Sequence, residues 1–118
     1  MKFIVQIFFP LLILSQSACI MQSDIPSDTP NWLKNKIKQL KKESVQSPPA
    51  SVFEYTYKGG RVFYFPARCC DIFSDLYDEQ GSLLCHPDGG FTGGGDGQCP
   101  DFWQNSTETR LIWKDNRK

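Results

Sequence analysis

The stretch Val52-Phe53-Glu54-Tyr55-Thr56-Tyr57-Lys58-Gly59-Gly60-Arg61-Val62-Phe63-Tyr64-Phe65-Pro66 decides the fold. Two runs of aromatic and β-branched residues flank Gly59-Gly60, the two-residue link that suits a tight β-hairpin. With those glycines as the turn, Tyr57 faces Val62, Tyr55 faces Tyr64 and Phe53 faces Pro66 on one side of the ribbon. Thr56 then faces Phe63, and Glu54 faces Phe65, on the other. The first side is expected to form the core beneath a helix. The second is mixed, so Phe63 and Phe65 are either covered by the later glycine-rich segment or exposed as a partner surface. Monomers seldom leave large apolar patches open, which favours the cover.

That helix is read just upstream. Asp28 or Thr29 offers a capping oxygen, Pro30 fits a first turn that needs no N–H, and Trp32, Leu33, Ile37 and Leu40 recur at helical spacing as far as about Glu43. The lysines from Lys34 to Lys42 form a solvated face, with cations near the favourable C-terminal end of the helix dipole. Ser44 to Ser51, with Pro48-Pro49, is a connector.

Downstream, Leu76-Tyr77-Asp78, the turn Glu79-Gln80-Gly81 and Ser82 to His86 suggest a second hairpin, Gly81 taking the positive φ of a bulged turn. Pro87 to Pro100 is too rich in glycine for regular structure and reads as a long flexible loop fixed by Cys85 and Cys99. Leu111-Ile112-Trp113 adds a last short strand, and Lys114 to Lys118 is expected to fray. One helix packed on a small antiparallel β-meander, stapled by disulfides, is an α+β fold.

The N-terminus has a different character. Lys2, an apolar run from Phe3 to Leu14 and the small polar stretch Ser15 to Ala18 have the three-part layout of a secretory signal. The run contains Pro10 and falls short of the about 20 apolar residues that cross a bilayer. Ser17-Ala18-Cys19 resembles the lipobox of bacterial lipoproteins, making Cys19 a lipidation site, although Gln16 stands where Leu is usual and ordinary cleavage after Ser17 is the alternative. Residues 1–18 are thus read as signal peptide, 19–29 as tether, 30–115 as one cysteine-rich domain and 116–118 as tail. The full chain has a formal charge of zero, and loss of Lys2 leaves about −1, so no field of one sign draws it to nucleic acid.

Cys69, Cys70, Cys85 and Cys99 form an even set in a chain bound for an oxidising compartment and read as two disulfides. Joining the neighbours Cys69 and Cys70 would strain a small ring and constrain little. Each is therefore expected to reach Cys85 or Cys99, in either order.

Catalytic chemistry finds little support. His86 adjoins Cys85, but adjacent strand residues point to opposite faces, and tandem cysteines lack both the spacer of thiol-exchange motifs and the spacing of zinc knuckles. The run Gly93 to Gly97 lacks the Lys-Ser/Thr of a phosphate loop. Asp88, Asp96 and Asp101 are candidate hard oxygen ligands for calcium, against the plainer reading that Asp-Gly pairs mark turns. No cofactor is implied.

Cys69-Cys70-Asp71, Leu76-Tyr77-Asp78, Cys85-His86-Pro87-Asp88-Gly89-Gly90, Gly95-Asp96-Gly97 and Cys99-Pro100-Asp101-Phe102 together resemble a group of small bacterial lipoproteins and secreted proteins that carry a domain of unknown function. The resemblance spans about Val52 to Asp115 and implies export and a shared cystine-rich fold, with no activity to carry over. The leading expectation is a non-enzymatic module, lipid-anchored to a bacterial membrane or secreted, that binds a protein or glycan of the cell envelope. Phe63, Phe65 and Phe91 are its candidate contact residues. A calcium-dependent module is the alternative. An inhibitor of an extracytoplasmic enzyme, resting on a likeness to cystatin architecture, is the third reading.

Overall fold

The computed structural model describes residues 25–69 and 71–117. Strands β1 (Ser51–Tyr57), β2 (Gly60–Phe65), β3 (Asp75–Asp78), β4 (Leu83–Cys85) and β5 (Ser106–Lys114) form one antiparallel sheet in the order β4-β3-β2-β1-β5. Helices α1 (Asn31–Lys42) and α2 (Phe102–Asn105) accompany it, in agreement with the α+β class. β1 to β4 make the expected meander. β5 does not extend it, but returns to the opposite edge beside β1 and pairs along its whole length.

The first hairpin turns one residue earlier than expected. Lys58 and Gly59 both adopt positive φ, 51° and 77°, as a tight two-residue hairpin turn demands. Gly60 is the first residue of β2, paired with Tyr57. Pairing therefore slips by two residues: Tyr55 opposes Val62 and Glu54 opposes Phe63. A shift of two leaves every side chain on its own face, because strand side chains alternate with period two.

The coverings of the two faces are exchanged relative to expectation. α1 lies on the Phe63 side, where Leu33 and Ile37 pack with Val52, Phe63, Phe65, Ile112 and Trp113. Phe63 is 0 % exposed and Phe65 8 %, so neither is a partner surface. The physical reason lies in the hydroxyls of the other face. Tyr57 and Tyr64 are buried and require polar partners, which an aliphatic helix stripe cannot offer, whereas phenylalanine rings take Leu33 and Ile37 without penalty. Full burial of each of those two aliphatic side chains is worth about 1.5–3 kcal/mol.

Trp32 meets Phe63 edge-on at 5.7 Å between ring centroids, while its indole N–H donates to the Glu79 carbonyl at 2.8 Å. This contact joins α1 to the second hairpin. A Cβ at Gly81 would lie 2.8 Å from the Trp32 ring, so the turn glycine permits close approach as well as its φ of 89°.

The folded part is longer than the sequence suggests at both ends. The start of α1 has no side-chain cap: Thr29 donates its hydroxyl to the Pro26 carbonyl, and Asp28 pairs with Arg110 at 2.6 Å. Arg110 and Arg61 also enclose the buried carboxylate of Glu54, at 3.3 and 2.7 Å. Ile25 packs against the core, so residues 25–29 are structure rather than tether. At the other end Arg117 donates to the Lys41 and Leu40 carbonyls at 2.7 and 3.3 Å, and pairs with Asp115 at 2.7 Å. The expected frayed tail instead supplies hydrogen bonds to carbonyls in the last turn of a helix.

Candidate functional surface

The tyrosine face of the sheet is closed by the connection from β4 at one edge to β5 at the other. Along this connection Cys85 and Cys99 are joined by a disulfide with Cα atoms 6.1 Å apart. This overturns the expectation that each reaches the Cys69–Cys70 pair. The loop is tied back to its own root, where β4 ends, and both cysteines are buried in the same cluster. Cys69 is disulfide-bonded. Cys19 and Cys70, together with the signal peptide, lie outside the described residues.

Beyond the disulfide comes Phe102, fully buried against Tyr57 and Tyr55 at centroid distances of 5.3 and 5.2 Å. It is delivered by α2, which the sequence analysis missed. Asp101, immediately before Phe102, is a residue type that commonly precedes a helix, although its side chain makes no capping bond here. Trp103 stands edge-on to Tyr64 and Tyr55 at 5.2 and 6.0 Å, about half exposed at the rim of this cluster.

The three aspartates proposed as calcium ligands each hold a different part of this cover. Asp88 accepts the Tyr64 hydroxyl at 2.9 Å, and burial followed by that carboxylate pushes the Tyr64 hydroxyl well above its usual range. Asp101 accepts the Tyr57 hydroxyl at 2.6 Å and the Asn105 amide at 3.2 Å; those bonds hold its carboxyl below the usual range, and the first of them raises Tyr57. Asp96 accepts the backbone N–H of Gln98 at 2.9 Å and of His86 at 3.1 Å, the former contributing most to its lowered pKa. They do not converge. Among the described residues no group of three His, Cys, Asp or Glu side chains is placed to hold a metal ion. Each carboxylate accepts hydrogen bonds from other parts of the fold.

His86 turns toward β3: its Nδ1 lies 2.7 Å from the Ser74 carbonyl and 2.9 Å from the Asp75 carboxylate. Two acceptors at one nitrogen require a proton there. Its ring stacks on Phe73 at 4.9 Å, and its neighbour Cys85 is in the disulfide and carries no thiol.

The glycine-rich segment has no strand or helix, yet its backbone is paired. Ser74 N–H bonds Asp88 O, Gly90 N–H bonds Ile72 O, Gly95 N–H bonds Gly89 O and Asp96 N–H bonds His86 O, at 2.9–3.2 Å. A Cβ at Gly95 would collide with the His86 carbonyl oxygen. The glycines thus permit close packing, where the sequence suggested a flexible loop. At its outer end Gly93 N–H bonds Gly90 O at 3.2 Å, closing a turn whose central residues are Phe91 and Thr92. Phe91 is 93 % exposed. Of the three phenylalanines nominated as a contact surface, this one is outside, on a turn anchored to Ile72 at its base.

Residues 38–115 match the family described as Domain of unknown function (DUF6970), more than half of the chain. No curated protein and no solved structure matches.

Proposed function

We propose that this chain, which belongs to the DUF6970 family, is a non-enzymatic binding module of the cell envelope. It is exported by its N-terminal signal, held on a bacterial membrane through a lipid on Cys19 or released, and contacts an envelope protein or glycan through the turn that carries Phe91. The observation that carries the reading is the contrast at that turn: a 93 % exposed aromatic side chain on a backbone fixed by hydrogen bonds at its base. With the backbone of the turn already fixed, binding has to order the side chain and not the loop, which favours affinity. The Cys85–Cys99 disulfide is consistent with an oxidising, extracytoplasmic compartment.

The test places a photo-activatable phenylalanine analogue at position 91, and at exposed Thr107 on β5 as control, in the native host. A discrete cross-linked envelope species from position 91 and not from 107 is the expected result. Equal yields from both positions would remove the proposal. Intact mass of the isolated protein, reading acylation at Cys19, tests the anchor separately.

A further inference from the structure

A second feature lies on the part of the tyrosine face that the loop and α2 leave uncovered. Phe53 and Leu111 oppose one another across β1 and β5 there, on the floor of a cleft of about 410 Å³ walled by Pro48, Pro49 and Pro66. This volume falls within the roughly 300–1,000 Å³ of small-molecule sites.

Two independent observations point to an occupant. The first is a bulge. Pairing shifts between Val52/Trp113 and Phe53/Leu111, leaving Ile112 as the extra residue on β5. Ile112 and Trp113 can then both enter the α1 core, and Leu111 is sent to the opposite face, where it is 46 % exposed over the cleft. A local break in a ladder thus places an aliphatic side chain in the cleft. The second is charge. Among the described residues Arg68 and Lys114 line the cleft and no carboxylate does. Lys114 makes no ion pair with any described residue, while Glu43 at 3.4 Å and the Gln46 amide oxygen, in the orientation its neighbours require, hold the Arg68 guanidinium.

We infer that this cleft binds a medium-chain alkyl carboxylate, its chain on Phe53, Leu111 and the prolines and its carboxylate toward Lys114 and Arg68. Unlike an apolar cleft with neutral walls, it discriminates by charge: the cations favour the acid over the alcohol of the same length.

The probe is octanoate, below its micellar concentration, titrated calorimetrically into the mature, oxidised protein, with 1-octanol and N-acetyl-leucyl-leucine as comparisons. Leu111→Asp and Lys114→Glu alter exposed side chains, and circular dichroism confirms that each variant folds. The expected result is saturable octanoate binding, weakened at least tenfold by either substitution, with 1-octanol and the peptide acid each at least tenfold weaker on the unsubstituted protein. Phe91→Ala should leave it unchanged, which separates this site from the turn. Failure of octanoate to bind, equal binding of octanol, preference for the peptide acid or indifference to Leu111→Asp would each overturn the inference. So would a dimer that Leu111→Asp dissociates, since the face would then be covered by a second copy of the chain.

Discussion

The hydroxyl of Tyr64 lies 3.0 and 2.9 Å from the two carboxylate oxygens of Asp88, so a residue of the central strand β2 is bonded directly to the glycine-rich connection that crosses over it. The Tyr57–Asp101 bond repeats the relationship further along the same connection. The Cys85–Cys99 disulfide closes the same connection. The cover of the tyrosine face is therefore held by two hydroxyl-carboxylate bonds and one covalent link.

Tyr64→Phe removes one of those bonds and leaves a partly buried carboxylate without its donor. It should cost about 1–3 kcal/mol, read as a lower midpoint in urea at unchanged slope. The raised Tyr64 pKa fixes the sign of the alkaline response. Below the unfolded tyrosine value of about 10 both states keep the proton and the contribution is complete. As pH rises above about 10 the unfolded chain ionises first, and stability falls. Spectrophotometric titration should show one tyrosine that ionises only on unfolding.

Breaking the disulfide tests the covalent link. Its cysteines are separated by 14 in sequence, and a loop of that length contributes about 3 kcal/mol in the chain-entropy model. Cys85→Ser with Cys99→Ser should lower the melting temperature accordingly while leaving the α1 face folded, as heteronuclear spectra would show.

Gly95 and Gly97 offer a matched pair. Both have φ near 75°, but a Cβ at Gly95 meets the His86 carbonyl and Pro87, whereas one at Gly97 meets nothing within 4 Å. Gly97→Ala should cost only the backbone strain, about 1–2 kcal/mol. Gly95→Ala adds a collision with backbone and should cost clearly more, about 3 kcal/mol or above. Denaturant melts of the two variants check the difference.

The C-terminal residues make a prediction that contradicts a frayed tail. Truncation after Lys114, or Arg117→Ala, withdraws the donors from the Lys41 and Leu40 carbonyls. Amide exchange in the last turn of α1 should accelerate, and the melting temperature should drop by about a few degrees. The Arg117 guanidinium holds the Asp115 carboxyl below its usual range. This contribution is complete above the unfolded aspartate pKa of about 4 and is lost as pH falls through the lower folded value.

The hairpins were legible because they rest on local rules: alternating aromatic residues around glycine, and Gly81 at a bulged turn. α1 was legible from the spacing of Trp32, Leu33, Ile37 and Leu40. The side of the sheet that α1 takes was not, because both faces carry aromatic rings and the choice depends on where Tyr64 and Tyr57 find acceptors, 24 and 44 residues downstream. The same dependence hid the roles of Asp88 and Asp101, which sequence alone could read only as turn residues or ligands. β5 was underestimated because its pairing with β1 is between distant segments, and its bulges interrupt the alternation that marks a strand. Lys114 to Arg117 looked dispensable since nothing local shows that Arg117 reaches the end of a helix more than seventy positions earlier.

Recognition by a turn that carries Phe91 requires the glycine-rich connection to be a fixed cover, so hydrogen exchange of its amides is the most direct measurement. At neutral pH on the oxidised protein, the N–H groups of Gly89, Gly90, Gly93, Gly95 and Asp96, all bonded to backbone carbonyls, are predicted to exchange markedly more slowly than in an unstructured peptide of the same sequence, while Phe91 N–H exchanges freely. Exchange of all six at the unstructured rate would contradict the account, because the segment would then be a mobile loop.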